Sequence, residues 1–248
     1  MKQIFLTLFF LLTVLKAGEI RIAVAANVSY AIEPLIEAFN SVHPETKVSV
    51  ILGSSGKLTA QISHGAPYDL FLSANMKYPE ALYKNGEAVI KPVVYAQGSL
   101  ALFSVNEQDL SKGMALLKDE KVKRIAVANP KTAPYGVAAE EALKNAKVYD
   151  AVKEKLIYGE SISQTVSYAV TATDMGIIAK SSLFSPRMSK YIQGKYWTDV
   201  DPKLYRPIDQ GMVLLKHGSD NSEARVFYDF MLGKDAKKIL LDFGYLVP

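Results

Sequence analysis

The strongest constraint on this chain is a switch of hydrophobic period that repeats. From residue 19 apolar and polar residues alternate through Ile20, Ile22 and Val24, the period of a strand with one buried face. The pattern then changes, and Ile32, Leu35, Ile36 and Phe39 fall at i, i+3, i+4 and i+7, which predicts a helix; Pro34 is tolerable in its first turn. Val48, Val50 and Leu52 predict a second strand, the loop 53–56 follows, and a helix from about Lys57 runs to a stop at Gly65. A third strand, 69–72, leads into Ser73, Ala74 and Asn75. This βαβαβ order predicts a mostly parallel sheet covered by helices, with ligands held beyond the carboxyl ends of the strands, where loops 25–29 and 53–56 lie.

A second set of similar size begins near Ser99, with strands at 100–105 and 125–128, helices at 137–146, 148–156 and 164–172, and a strand at 176–179. Beyond Pro207 come a strand at 212–215, a helix at 222–232 and a last helix ending at Gly244. With 49% apolar and 22% charged residues in 248, both units can bury a core.

The first residues stand apart. Lys2 precedes an apolar run at 4–15 that closes on Lys16, Ala17 and Gly18, the pattern of a secretory signal peptide cleaved after Ala17 and too short for the ~20 apolar residues of a membrane span. The chain has no cysteine, so it can carry no lipid at a processed amino terminus, no disulfide and no thiolate metal site. A freely soluble, exported, periplasmic protein is expected. Removal of Lys2 and Lys16 takes the formal charge from +4 to +2, with the cations scattered, so nucleic-acid binding is not indicated.

Two short strings invite an enzymatic reading. Residues 54–57 read S-S-G-K, an S-x-x-K, and 219–221 read S-D-N, as in serine-lysine hydrolases. The third element of that set appears only as K-T-A at 131–133, ahead of S-D-N instead of behind it, and a turn with a helix cap accounts for 219–221. Gly53 and Gly56 lack the spacing of a phosphate-cradling loop, and His43, His64 and His217 are too far apart for a metal motif or a triad. What remains are neutral donors at loop-to-helix junctions. Helix amino termini leave N–H groups free and favour negative charge, and Asn27, Ser29, Ser54 and Ser55 add amide and hydroxyl groups there, although such residues also cap helices.

Assembled in order, V-A-A-N-V-S-Y-A at 24–31, G-S-S-G-K-L at 53–58, G-A-P-Y-D-L-F-L-S-A at 65–74, N-P-K-T-A-P-Y-G at 129–136 and F-G-Y at 243–245 resemble the periplasmic molybdate-binding proteins of ABC importers. The resemblance runs through nearly the whole mature chain. It implies a type II periplasmic-binding-protein fold of two mixed α/β lobes joined by a two-strand hinge. Lobe one would be 19–97 plus 206–248 and lobe two 98–205, with crossings near Gln97 and Arg206. It implies an oxyanion held by Asn27 and Ser55 from lobe one and by Tyr135 and Ser163 from lobe two, with Ala26, Ser54 and Gln164 as secondary contacts. Many members carry a further tyrosine where this chain has Ala179, and the Tyr135 hydroxyl is expected to replace that donor.

The expected ligand is molybdate, and tungstate with it, bound without any direct protein–metal bond and without a cofactor. No charged residue is among the four contacts, so a donor-only pocket should reject a protonated ion such as hydrogen phosphate, whose O–H would lie buried and unpaired. The expected protein is therefore a monomeric binding component, not an enzyme, that hands its anion to the membrane permease subunits of an importer. Two other readings are a carrier of another anion or of ferric iron on the same fold, the latter needing adjacent tyrosine ligands that Tyr135, Tyr158 and Tyr168, apart in sequence, do not offer, and a serine-lysine hydrolase.

Overall fold

The computed structural model describes residues 18–248; the expected signal peptide, 1–17, lies outside them. The first half opens with β1 (Glu19–Ala25), a five-residue 3₁₀ turn (Ala26–Tyr30), α1 (Ile32–Asn40), β2 (Lys47–Gly53), α2 (Ser55–Ser63), β3 (Leu70–Ser73), α3 (Lys77–Lys84) and β4 (Val93–Gly98). The second half comprises β5 (Leu100–Phe103), β6 (Ile125–Ala128), α4 (Pro134–Asn145), α5 (Tyr149–Val152), β7 (Leu156–Gly159), α6 (Ile162–Thr171), β8 (Met175–Ala179) and β9 (Trp197–Asp199). The chain then returns through β10 (Ile208–Leu214), α7 (Ser222–Met231) and α8 (Lys234–Asp242).

These strands form two five-stranded sheets, ordered β2-β1-β3-β10-β4 and β7-β6-β8-β5-β9. The chain passes between them twice, at Ser99 and between Asp199 and Ile208. Both sheets are mixed, which corrects the expectation of a mostly parallel one. Strand β1 is parallel to β2 and β3, but the returning β10 enters between β3 and β4 and runs antiparallel to both. In the second sheet β6 is parallel to β7 and β8, whereas β5 is antiparallel to β8 and β9.

Each sheet is covered on both faces. Ile20, Ile22 and Val24 pack with Leu35 and Phe39 of α1, Phe227 of α7 and Leu240 of α8, while Ala23 and Phe71 face Leu58 and Ile62 of α2 and Leu82 of α3. The predicted helix at 148–156 is only one turn long. Its apolar positions Val148, Val152 and Leu156 all reach the core, but Leu156 does so as the first residue of β7, whose parallel pairing with β6 overrides the helical spacing. Four further elements, α3, β4, β7 and β9, had no counterpart in the sequence reading. Among the described residues no helix is long and apolar enough to cross a membrane.

The string S-D-N at 219–221 is a turn and a cap. Asn221 accepts from the N–H groups of Glu223 and Ala224 at the start of α7, at 3.1 and 3.4 Å. Asn221→Ala should therefore cost about 1 kcal/mol, read as a lowered midpoint in urea unfolding; an unchanged midpoint would remove the cap from the account.

Candidate functional site

Four chain segments leave the carboxyl ends of strands and meet between the two sheets. From the first sheet come the 3₁₀ turn after β1 and the start of α2 after β2; from the second come the starts of α4, following β6, and of α6, following β7. They line a small cavity. Ala26, Asn27, Ser54 and Ser55 form one side, and Ala133, Pro134, Tyr135 and Ile162 the other. The two halves touch beside it: the Gly56 N–H donates to the Thr132 carbonyl at 3.0 Å, the Ser181 hydroxyl donates to the Asn27 carbonyl at 3.1 Å, and Lys57 pairs with Glu160.

None of the residues lining this cavity is charged. Its polarity comes from hydroxyls and from first-turn N–H groups, which have no intrahelical acceptor. Ser54 occupies the N-cap position of α2 yet makes no capping bond, and its buried hydroxyl has no partner. The Ser55 hydroxyl oxygen accepts from the Ala74 N–H at 2.9 Å, which leaves its hydrogen to donate. Tyr135, in the first turn of α4, is 1% exposed and its hydroxyl is also unpartnered. Burial, reinforced by the neighbouring Tyr245, Tyr95 and Tyr205 and only partly opposed by the Asn27 side chain, pushes that phenol well above its ordinary range, so it stays protonated and can donate. A methyl group on Gly98 would overlap this hydroxyl; the bare backbone there makes room for it.

The structure thus brings Asn27, Ser55 and Tyr135 to one cavity, together with Ala26 and Ser54. It does not bring Ser163 there. Ser163 is half-buried one residue further along α6, with its hydroxyl 3.0 Å from that of Ser161, the N-cap. Gln164 also turns away, its Oε1 accepting from the Glu160 N–H at 2.6 Å. The residue of α6 at the cavity is Ile162, and what it can offer an anion is a backbone N–H, a contribution that leaves no trace in residue type. Ser29 is likewise committed elsewhere, donating to the Ala26 carbonyl at 2.7 Å. Ala179 does not line the cavity.

Asn27 departs from expectation in its orientation. Its Nδ2 donates to Gln210 Oε1 at 2.8 Å and to the Tyr245 hydroxyl at 2.9 Å, and Oδ1 is left buried without a partner. A donor-only pocket would need the amide nitrogen to face the ligand and the carbonyl to turn away. The reason is the pair of acceptors behind Asn27, supplied by β10 and by the carboxyl-terminal segment, neither of which is near it in sequence. The cavity wall is therefore not made of donors alone.

The hydrolase and iron readings find no support in this geometry. Lys57 pairs across the cleft with Glu160 and is not bonded to Ser54. Of the tyrosines a ferric site would need, only Tyr135 is at the cavity, while Tyr158 is 46% exposed on β7.

Two α/β lobes around a small cavity with no charged lining residue, set at helix amino termini, define a solute-binding protein. The chain belongs to the family described as bacterial extracellular solute-binding proteins, whose model matches residues 20–246. It is 34% identical over 232 residues to the molybdate-binding protein ModA of Azotobacter vinelandii, covering 93% of this chain and 90% of that one. With ModA of Rhodobacter capsulatus it shares 35% over 232 residues, covering 93% and 89%. The solved structure of the periplasmic molybdate-binding protein of Azotobacter vinelandii superposes with a TM-score of 0.83 at 29% identity, over 92% of this chain and 99% of that chain. The sulfate-binding protein SubI of Mycobacterium tuberculosis H37Rv, at 16% identity and a TM-score of 0.73 over 92% of this chain and 86% of its own, shares the fold. The fold is accordingly that of the periplasmic binding proteins, and the chain is a transport component rather than a catalyst.

Proposed function

We propose that this protein captures molybdate, and tungstate with it, in the cavity between its lobes and delivers the anion to the membrane permease subunits of an ABC importer. The observation that carries this reading is the pair of buried, unpartnered hydroxyls, Ser54 Oγ and Tyr135 Oη, facing one cavity from opposite lobes at the starts of α2 and α4. A buried hydroxyl with no partner costs free energy, and a tetrahedral oxyanion supplies the missing acceptors. Ser55 adds a further hydroxyl, and the backbone N–H groups at Ala26, Asn27 and Ile162 add dipoles that meet negative charge without a formal cation. The relatives named above, whose names state molybdate binding, support the choice among oxyanions. The lobes hinge where the chain crosses at Ser99 and again ahead of β10, so an anion held by groups of both lobes favours the closed surface. The protein works as a monomer in the periplasm, freed of residues 1–17.

Thermal unfolding tests this directly. A ligand at a hundred times its dissociation constant stabilises by about 2.7 kcal/mol, which for a chain of this size raises the midpoint by roughly 5–11 °C. Molybdate and tungstate should each give such a rise, and ferric citrate none. Flat melts with both metal oxyanions would sink the reading.

The protonated phenol carries a pH prediction. Because Tyr135 titrates well above its ordinary range and ionisation would set a negative oxygen against the anion, molybdate affinity should be level from about pH 7 to about pH 10. Calorimetric titration across that range checks it; a fall centred below pH 10 would mean that the phenol ionises in the site.

A further inference from the structure

The main-chain carbonyl of Asn27 is a buried polar contact between the lobes. It accepts from the Tyr245 hydroxyl at 2.8 Å and from the Ser181 hydroxyl at 3.1 Å. Tyr245 follows α8 and belongs to the same lobe as Asn27, whereas Ser181 stands on the turn Lys180–Phe184 that follows β8 in the other. Burial pushes the Tyr245 phenol up to about 12, opposed in part by the Ser181 and Asn27 side chains, so at neutral pH it keeps the hydrogen that it gives to Asn27. A carbonyl oxygen has two lone pairs. Tyr245 therefore satisfies this carbonyl from within lobe one, and the second lone pair is the one that Ser181 takes from across the cleft.

Nothing local holds Ser181 in place, since it lies 154 residues from Asn27 and the chain joins the lobes only at Ser99 and between Asp199 and Ile208. Its turn is seated by Phe184, against which Gly244 packs so closely that a Cβ on the glycine would come within 2.4 Å of the ring. Asn27 and Ser181 are 0% and 3% exposed, so bulk water does not compete for their bond. The ion pair of Lys57 and Glu160, which also spans the lobes, is exposed on both sides and contributes little. Of these two links, the buried one acts on a residue that lines the cavity.

We propose that Ser181 is a positioning residue that ties lobe closure to the occupied site: its hydroxyl holds the Asn27 main chain from the opposite lobe, and so sets how slowly the anion leaves. The proposal rests on the anion reading above. When the lobes part, Ser181 exchanges this bond for water and Asn27 keeps Tyr245, so the bond adds to the closed form alone. Release requires opening and is slowed by it; entry into the open form is not.

Chasing radiolabelled molybdate with unlabelled molybdate, on the wild type, Ser181→Ala and Ser181→Cys, tests this. Dissociation should quicken roughly 3- to 10-fold in Ser181→Ala, the worth of one buried hydrogen bond. Association should stay within about 2-fold of wild type, and the melt without ligand should not move. Ser181→Cys keeps the shape with a weaker donor; in reductant it should also release faster, and it carries the test should the alanine variant fail to fold. A contact that persists when the lobes part would instead lower the ligand-free midpoint and leave dissociation unchanged. Wild-type dissociation in a cooperatively melting variant, with molybdate bound, overturns this proposal alone. A wild type that binds no molybdate overturns the anion reading and this proposal with it.

Discussion

Gly56→Ala is expected to weaken molybdate binding roughly 10- to 100-fold while leaving the unliganded protein as stable as the wild type or slightly more so. Gly56 is the second residue of α2, and its N–H donates to the Thr132 carbonyl of the other lobe at 3.0 Å. A methyl group there would lie 3.0 Å from the Thr132 carbonyl oxygen, 3.2 Å from the Thr132 Cα and 2.8 Å from the Tyr78 hydroxyl. The tyrosine can swing aside, but the Thr132 backbone moves only with its lobe. The substitution therefore wedges the cleft a few tenths of an ångström at the point of closest approach. If the closed form is the binding-competent one, each 1.4 kcal/mol taken from it lowers apparent affinity about 10-fold. Alanine is meanwhile the better helix former by about 1 kcal/mol, so stability and affinity should move in opposite directions. Calorimetry and a melt without ligand measure both. Wild-type affinity in the alanine variant would show that closure does not bring these backbones together.

How far the sequence reveals this molecule depends on the range of the interaction in question. The first three strands and α1 were legible because Ile20, Ile22 and Val24, and then Ile32, Leu35 and Phe39, each bury one face of a regular element, and that periodicity is local. The edge strand β9 was not, since three residues, Trp197–Asp199, are too few to show a period. The misread helix at 148–156 failed for a related reason: spacing of four fits Val148, Val152 and Leu156 whether the last belongs to a helix or opens a strand. The site divides in the same way. Ser54 and Ser55 stand at a junction that the change of period marks, Tyr135 follows only from the family resemblance, and the three line one cavity. The part played by α6 was assigned to the hydroxyl of Ser163, because a side chain has an identity to read and the Ile162 N–H has none. The direction of the Asn27 amide depends on Gln210 and Tyr245, at separations of 183 and 218 residues, and no inspection of residues 24–31 could have supplied it.

Tyr135→Phe should separate binding from folding most cleanly. The Tyr135 hydroxyl is buried and protonated, and no protein group bonds it in good geometry, the Asn27 side chain interacting with it only weakly, so in the unliganded protein its desolvation costs more than its contacts return. Replacing it with phenylalanine keeps the ring in place above Gly98 and removes that cost. The melt without ligand should therefore shift upward or not at all. With molybdate bound, the same hydroxyl is a neutral donor to a charged oxygen, an interaction worth about 1.5–3 kcal/mol, and its loss should weaken affinity by roughly 10- to 150-fold. This combination distinguishes a group held for its ligand from one held for packing: a packing tyrosine would lose stability on truncation and leave the anion's affinity alone. It also weighs Tyr135 against the α-helix termini, because an anion held by backbone dipoles alone would not register the missing hydroxyl. If Tyr135→Phe binds molybdate as tightly as the wild type, the donors that matter lie entirely in Ser54, Ser55 and the main chain, and the second lobe holds the ion only through the first turns of α4 and α6.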